Sequence, residues 1–276
     1  MSELTVSYLI LAHESTSRVT RLADKLLKED PTGQVIIHFD KKSGKAPYQY
    51  LKEHYISNER CHVLDNRVRC GWGQWSLVEA TLRVLRYARQ TQKTDYYYLL
   101  SEYCYPTQPI TNLKAHLSKH YGTNFIECED SSWIKGGIRE DRYLYWHFLN
   151  KRKYPKLHRW SYKIQKFLGL KRKVPEGLNI RFGSQWWCLT DSAMLHVLKA
   201  ERKYRSFFRW SWIPDESVIQ TLVFSNGKLM ESGRSCTYAN FDENGNAEIL
   251  SSIEQVDRNF FFARKCNLRT TSKSGR

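Results

Sequence analysis

The sequence predicts an α/β protein, because short apolar strands alternate along it with amphipathic helices. Residues 4–12 and 34–39 form apolar runs, and leucines recur at helical spacing between them. A strand, a helix and a strand at this spacing make a βαβ unit, which implies a parallel sheet with ligands at the carboxyl ends of its strands. His13 and Asp40 directly follow the two runs. Both are therefore candidate ligand-binding residues.

The alternation continues through the rest of the chain. Apolar runs predict further strands at residues 62–64, 96–101, 124–128 and 180–190, and two short strands within 229–241. Periodic apolar residues predict helices at 75–89 and 113–119. A later helix is expected to start at Pro214, because proline fits the first helical turn and apolar residues follow it at helical spacing.

The composition indicates a folded protein with an anionic partner. The 276 residues suffice to bury a full core. The net charge of +16 favours a nucleic acid, an anionic membrane or a phosphorylated substrate. Aromatic residues make up 14% of the chain, and their rings suit sugars and nucleobases. The seven cysteines show no CxxC or CxH spacing, which argues against a structural zinc site and a disulfide framework and fits a reducing compartment.

Residues 150–173 form a basic segment with ten Lys and Arg residues and no Asp or Glu. Leu157, Trp160, Ile164 and Phe167 recur within it at helical spacing. This pattern is typical of a helix in peripheral contact with an anionic membrane, and a solvated helix packed on the body or a nucleic-acid-binding segment are the alternatives. No stretch approaches the ~20 apolar residues of a membrane span, and the start lacks a signal-peptide pattern. We therefore expect a cytoplasmic protein, peripheral at the inner face of the plasma membrane if the segment binds lipid.

Residues 210–217, Trp-Ser-Trp-Ile-Pro-Asp-Glu-Ser, combine aromatic rings with two carboxylates. At the start of the expected helix, Asp215 and Glu216 would lie where unpaired backbone N–H groups stabilise a negative charge. A carboxylate fixed beside aromatic rings is suited to act as a general base in a sugar-binding cleft. An acidic helix cap is the alternative, and the local pattern alone favours it.

Six blocks of sequence, taken together, distinguish these alternatives. They are Tyr8-Leu-Ile-Leu-Ala-His13-Glu, Ile37-His38-Phe-Asp40-Lys-Lys, Trp72-Gly-Gln-Trp-Ser76-Leu-Val-Glu-Ala80, Gly183-Ser-Gln-Trp-Trp-Cys-Leu-Thr190, Pro214-Asp-Glu-Ser217 and Phe262-Ala-Arg-Lys265. Their order and spacing resemble glycosyltransferase family 14, the core-2/I-branching N-acetylglucosaminyltransferases and peptide O-xylosyltransferases. The resemblance extends from about residue 6 to residue 266 and suggests a bacterial-type member.

The resemblance implies one GT-A-like catalytic domain over residues 1–276 with a mixed central sheet. A Rossmann-type nucleotide-binding half, about 1–122, would join an acceptor-binding half with a diphosphate-binding tail, about 123–266. It also implies inverting transfer of N-acetylglucosamine or xylose from a UDP-sugar to a glycan or lipid-linked glycan, without a metal or other cofactor. The chain agrees in having no Asp-x-Asp motif. One acidic pair alone would be a poor magnesium or manganese site.

The resemblance assigns roles at the reacting end of the donor. Glu216 would be the general base, and Asp215 beside it would contact substrate or cap the helix. Without a metal, Lys or Arg side chains must meet the charge of the departing diphosphate. Lys265, supported by Arg264, corresponds to the diphosphate-binding lysine of the family. Arg234 is the candidate for a second cation, and another alignment would put Thr237 at that position.

Further residues are expected to bind the nucleotide and the acceptor. Asp40 would contact the uridine, with a turn residue as the alternative, and His13 would touch the nucleotide or bond to neighbouring backbone. Trp72 and Ser76 would shape the pocket. The resemblance places acceptor contacts at Glu127, Arg139, Arg142, Ser184, Gln185 and Trp186.

Three other functions compete with this interpretation. A basic nucleic-acid-binding protein fits the charge, but no RNP, KH, zinc-finger or helix-turn-helix pattern appears, so no nucleic-acid partner is expected. A catalytically inactive glycan-binding relative would not need Glu216 and Lys265. A hydrolase is disfavoured because the chain has no Gly-x-Ser-x-Gly motif and no evident pair of separate catalytic carboxylates.

Overall fold

The computed structural model describes residues 3–135, 137–241, 247–250, 252–253 and 256–266. The strands are β1 (Val6–Ala12), β2 (Gln34–Phe39), β3 (Cys61–Val63), β4 (Tyr96–Ser101), β5 (Tyr105–Pro106), β6 (Thr123–Asn124), β7 (Cys188–Thr190), β8 (Met230–Glu231), β9 (Thr237–Ala239) and β10 (Phe262–Arg264). The α-helices are α1 (Thr16–Glu29), α2 (Ala46–His54), α3 (Trp75–Thr91), α4 (Ile110–Lys119), α5 (Asp141–Leu144), α6 (Pro155–Phe167), α7 (Asp191–Phe208) and α8 (Val218–Phe224). Single 3-10 turns occupy Lys41–Ser43, Ser131–Trp133 and Pro214–Glu216.

The central sheet has five strands in the order β3-β2-β1-β4-β7. Its first four strands are parallel, and β7 pairs antiparallel with β4. Alternate residues of β1 face opposite sides: Tyr8 and Ile10 join a buried cluster with α1, whereas Leu9 joins one with α3. Burial on both faces explains why these strands are continuously apolar. The predicted α/β class, with a Rossmann-type strand order and a mixed central sheet, is confirmed.

Several elements differ from the sequence prediction. The chain folds into α2 and α7, which were not predicted. The sequence does carry a signal for α7: the Thr190 side chain caps the helix by accepting from the Ala193 amide, and the apolar Met194 and Val197 lie on its buried face. Of the strand predicted at 180–190, only the last three residues form a strand, β7. The residues before it are held by contacts with other loops. The strand predicted at 124–128 shrinks to β6 and an isolated bridge at Phe125.

The helix predicted to start at Pro214 is divided in two. Pro214–Glu216 form a 3-10 turn, and α8 begins only at Val218. Ile213 precedes the turn at φ 52°, a left-handed conformation that is strained for a β-branched residue. Its amide donates to the Gly73 carbonyl at 3.0 Å, which holds this backbone in place. Asp215 and Glu216 therefore lie ahead of α8, and the predicted capping role of Asp215 is wrong.

The helix predicted within the basic segment is present as α6. Among the described residues, no helix combines the length and the apolar character needed to cross a bilayer.

A buried carboxylate organises the loop between β1 and α1. Glu102, which follows β4, accepts hydrogen bonds from the backbone amides of His13, Glu14 and Ser15 at 3.0, 3.0 and 2.6 Å. Its Oε1 also lies 3.1 Å from His13 Nδ1. Burial alone would raise the pKa of Glu102, but the hydrogen bonds from His13 and these amides hold it below its ordinary value. Glu102 thus joins the neighbouring parallel strands β1 and β4 at their carboxyl ends.

We expect Glu102→Gln to lower the free energy of unfolding by about 2 kcal/mol, because an amide nitrogen would then face backbone donors inside the protein. Urea denaturation at neutral pH measures this loss. The folded-state pKa of Glu102 lies below its unfolded value, so its stabilisation is complete above the unfolded pKa and is lost as the pH falls through the folded pKa. The difference between variant and wild type should therefore shrink in acid. The control Glu14→Gln, at a side chain 56% exposed, should change little; equal losses would contradict the role of Glu102.

Candidate active site

The carboxylate of Glu216 pairs with a guanidinium from a distant segment. Arg142, in α5, donates from Nη1 to Glu216 Oε2 at 2.8 Å. The Glu216 side chain remains 31% exposed, while that of Arg142 is 10% exposed. Burial raises the pKa of Glu216, and the charge and hydrogen bond of Arg142 oppose that shift. Arg142 thus holds the candidate base in position, and its expected contact with an acceptor stays a prediction.

Gly183 brings two carboxylate-bearing segments together. Its amide donates to the Glu216 carbonyl at 3.0 Å, and the next amide, of Ser184, donates to Glu127 Oε2 at 2.8 Å. A Cβ on Gly183 would lie 2.4 Å from the Glu127 carbonyl oxygen, so only glycine fits without displacement. Gln220 Nε2, in α8, donates to the Ser184 carbonyl at 2.8 Å and secures the same loop. Burial raises the pKa of Glu127, whose charge in turn favours the protonated form of Glu216.

Asp215 carries a buried oxygen available to a ligand. Within the described part of the chain, Oδ1 has no hydrogen-bond partner. Burial and the adjacent Glu216 carboxylate raise the pKa of Asp215. A buried polar atom without a partner is costly, which makes a bound hydroxyl a natural complement.

Two predicted diphosphate ligands lie beside β4. The Arg264 guanidinium stacks over the Trp186 ring at 4.4 Å, and its Nε donates to Ser101 Oγ at 3.3 Å. Lys265 Nζ lies 5.6 Å from the centre of the Tyr103 ring. Trp186 is 5% exposed and covered by Arg264, which leaves its ring little surface for the expected acceptor contact. The neighbouring Trp187, 1% exposed, is a core residue.

A third cation comes from the basic segment. Burial, together with the nearby charges of Arg264 and Arg152, lowers the pKa of Lys265. The Arg152 guanidinium lies 4.3 Å above the Trp72 ring. Sequence reasoning missed this residue, because its partner Trp72 lies far away along the chain.

The contacts of base and cations form a chain, which we call the cleft circuit; its two ends, Lys265 and Arg152, interact only through their charges. Trp72 meets Trp212 at 6.2 Å between ring centres, and Arg142 lies 5.4 Å above Trp212. In order, the circuit runs through Glu216, Gly183, Ser184, Trp186, Arg264, Lys265, Arg152, Trp72, Trp212 and Arg142. It therefore joins the partly exposed carboxylate of Glu216, which is paired with Arg142, to three further cations.

The nucleotide residues predicted from strand ends are adjacent in space. Ser43, just after Asp40, donates a side-chain hydrogen bond to the His13 carbonyl. Asp40 accepts from the Lys42 amide at 2.7 Å and from the Cys70 amide at 3.2 Å, so it serves as the turn residue of the alternative interpretation. The His13 side chain is 67% exposed, and its hydrogen bond to Glu102 raises its pKa. Contacts of either residue with a nucleotide stay predictions.

The remaining predicted residues lie outside the cleft circuit. Arg139 is exposed, and Gln185 is half-buried next to Trp186. Arg234 is exposed, and its charge acts on His116 of α4 and on Asp257. The structure therefore groups Arg152, rather than Arg234, with Lys265. The alternative at Thr237 is buried and bonded to the Tyr98 hydroxyl, so it belongs to the core.

Ser76 shapes the loop before α3 by accepting a hydrogen bond from the Gly71 amide at 2.8 Å.

A separate cavity of about 500 Å³ is lined by His54, Ser57, Asn58, Glu59 and Arg60. It lies next to the amino ends of β2 and β3, since the Val35 amide bonds to the Arg60 carbonyl. That is the edge of the sheet opposite the strand ends where parallel α/β sheets bind ligands.

Comparisons with known proteins agree with the resemblance. The sequence profile of a family described as Core-2/I-Branching enzyme matches residues 6–263. The chain is 26% identical over 298 residues to Xylosyltransferase 2 of Rattus norvegicus, covering 94% of this chain and 32% of that protein. It is 25% identical over 292 residues to Xylosyltransferase 2 of Homo sapiens, covering 94% and 31%. The chain thus spans about a third of the length of these curated relatives.

Among solved structures, the apo form of mouse xyloside xylosyltransferase 1 aligns with a TM-score of 0.40 and 11% identity, over 84% of this chain and 86% of that one. Staphylococcus aureus TarS 1-349 aligns with a TM-score of 0.34 and 15% identity, over 52% and 41%. The fold class rests on the sheet topology described above. Because the profile matches residues 6–263, the chain belongs to the Core-2/I-Branching enzyme family, glycosyltransferase family 14.

Proposed function

We propose that this protein is an inverting, metal-independent glycosyltransferase that moves N-acetylglucosamine or xylose from a UDP-sugar to a hydroxyl of a glycan or lipid-linked glycan. The observation that carries the proposal is the cleft circuit, which joins one partly exposed carboxylate, paired with Arg142, to three further cations. The family supports sugar transfer, and the names of the xylosyltransferase relatives support xylose as one donor sugar.

Glu216 acts as the general base in this proposal. Inverting transfer needs one group to take the proton from the attacking hydroxyl. Arg142 bonds to Oε2, so we assign the acceptor proton to Oε1. Burial makes the carboxylate more basic than an exposed one, and the charge and hydrogen bond of Arg142 favour its ionised form. The unpaired Oδ1 of Asp215 would bind a hydroxyl of the same substrate.

Lys265, Arg264 and Arg152 meet the charge of the departing UDP. Three like charges held together in the free protein repel one another, and a diphosphate between them relieves that repulsion. The lowered pKa of Lys265 reflects burial and this repulsion. Trp72 and Tyr103 orient two of the cations through their ring faces.

Among the described residues, the group best placed to hold a cation is His13, Glu14 and Glu102, and its carboxylates already bond to other groups of the protein. The donor atoms of His13, Glu14 and Glu102 lie within 4.8 Å of one another. However, both oxygens of Glu102 already accept backbone hydrogen bonds, and Glu14 accepts one from the Tyr103 hydroxyl. This arrangement supports metal-independent transfer.

Glu216→Gln should retain UDP binding and lose transfer by ~100-fold or more, because the amide cannot take the proton. Transfer from UDP-N-acetylglucosamine and UDP-xylose to a panel of glycans, with UDP release as the readout, measures the loss. Glu53→Gln on α2 is the matched control and should transfer normally. Full transfer by the Glu216 variant would move the base elsewhere.

The pH profile should report the same carboxylate. The base must be unprotonated, so kcat/KM should fall as the pH drops through the pKa of Glu216, at a pH above the ~4.3 of an ordinary glutamate. Arg142 favours the ionised form, so Arg142→Met should move this acid limb to higher pH. An acid limb that stays in place in the Arg142 variant would contradict the pairing of Arg142 with the base.

Calorimetric titration with UDP should separate the cations. Lys265→Ala and Arg152→Ala should each weaken UDP about tenfold, as expected for a lost charge-assisted contact. Arg234→Ala should change little, because that side chain is exposed and its charge acts on His116 and Asp257 rather than on Lys265. Binding should be the same in EDTA as with manganese. Weakening by the Arg234 variant alone, or abolition of binding by EDTA, would overturn this assignment.

A further inference from the structure

The helix α6 is packed with its polar side inward. Its buried residues are His158 and Gln165. Gln165 accepts from the Trp146 amide and donates to the Trp146 carbonyl, both at 2.9 Å, and His158 shares a hydrogen bond of 3.1 Å with His147. These paired polar groups fix the helix against the body, so its orientation is specified by hydrogen bonds.

The apolar side of α6 faces outward as a stripe. Leu157, Trp160, Ile164 and Phe167 are 57%, 65%, 51% and 90% exposed. Their spacing of three or four residues places them along one side of the helix. Leu168 and Leu170 extend the exposed apolar surface beyond its end. A contiguous apolar surface of this kind marks an interaction site.

Positive charge surrounds the stripe. Of the ten Lys and Arg residues between 150 and 173, Arg172 is buried and the other nine are exposed. Lys166 Nζ lies 3.6 Å from the carboxylate of Asp141, a residue of α5 on the side of α6 that faces the body of the protein. The outer side therefore combines large apolar groups with cations such as Lys156, Arg159 and Lys163, which form no ion pair with the residues that the structure describes.

We infer that the α6 stripe, Leu157, Trp160, Ile164 and Phe167, docks this protein onto an anionic lipid bilayer, with the surrounding Lys and Arg side chains at the headgroup level. Such a helix lies in the plane of the interface, with its apolar residues among the acyl chains and its cations on the phosphates. A second copy of this chain fits poorly, because two-fold pairing of the stripe would bring the same basic residues face to face. Nucleic acid would leave the aliphatic Leu157 and Ile164 without a role, since bases stack on rings.

Docking would place the cleft circuit close to the membrane. The His158 ring lies 5.7 Å from that of Trp212, a member of the circuit, and Arg152 stands three residues before the start of α6. The docking inference itself concerns membrane binding and does not depend on the proposed transfer reaction.

Co-sedimentation with phosphatidylcholine vesicles, with and without phosphatidylglycerol, tests the inference. Wild-type protein should bind only the vesicles that contain phosphatidylglycerol, and less as salt is added. The triple variant Trp160→Ser, Ile164→Ser, Phe167→Ser should reduce the partition coefficient ~10-fold or more. The charge variant Lys156→Gln, Arg159→Gln, Lys163→Gln should do the same.

Matched substitutions at exposed apolar residues elsewhere, Ile56→Ser and Met230→Ser, should leave binding unchanged. Unaltered UDP affinity and melting temperature would show that the stripe variant is folded. Wild-type protein that ignores both vesicles, or a stripe variant that binds as well as wild type, would overturn the inference. So would a dimer, or a complex with a single-stranded oligonucleotide, that is lost on stripe substitution while vesicle binding persists.

Discussion

The close approach of Gly183 to Glu127 is the contact on which the rest of the candidate site depends. A Cβ at Gly183 would lie 2.4 Å from the Glu127 carbonyl oxygen, which leaves no room for a side chain. The same residue holds the Glu216 backbone through its amide. Main-chain contacts, which are shorter and stiffer than side-chain contacts, therefore set the separation of Glu127 and Glu216. The long side chain of Arg142 then only has to close the remaining gap to Glu216.

The parts of the fold that the sequence predicts are those whose pattern is local and strong. The strands β1, β2 and β4 are buried on both faces and read as continuous apolar runs, and α1 and α3 show clear helical periodicity. The two-residue strand β5 exists only through pairing with the distant β10, and propensity over two residues carries no signal. The division of the helix at Pro214 depends on the left-handed Ile213, which distant contacts hold in place.

The candidate site likewise has residues that the sequence predicts and contacts that it does not. Local motifs point to Glu216 and Lys265, because each stands within a recognisable block of sequence. The ion pair of Arg142 with Glu216 and the place of Arg152 beside Lys265 arise only when separate loops meet. The charge of residues 150–173 is visible in the sequence, but the direction in which α6 faces is not. That direction depends on which residues find hydrogen-bond partners inside, and here these are His158 and Gln165.

The strained backbone at Ile213 links two distant positions of the chain. Residues in such conformations cost ~1–3 kcal/mol and persist only where their surroundings hold them. Here the restraint comes from Gly73, which accepts the Ile213 amide and itself has φ 65°. A Cβ at Gly73 would lie 3.3 Å from Ile213 Cγ1. Position 73 is therefore bound to glycine twice over, by its own left-handed backbone and by the side chains of Trp212 and Ile213 that pack beside it.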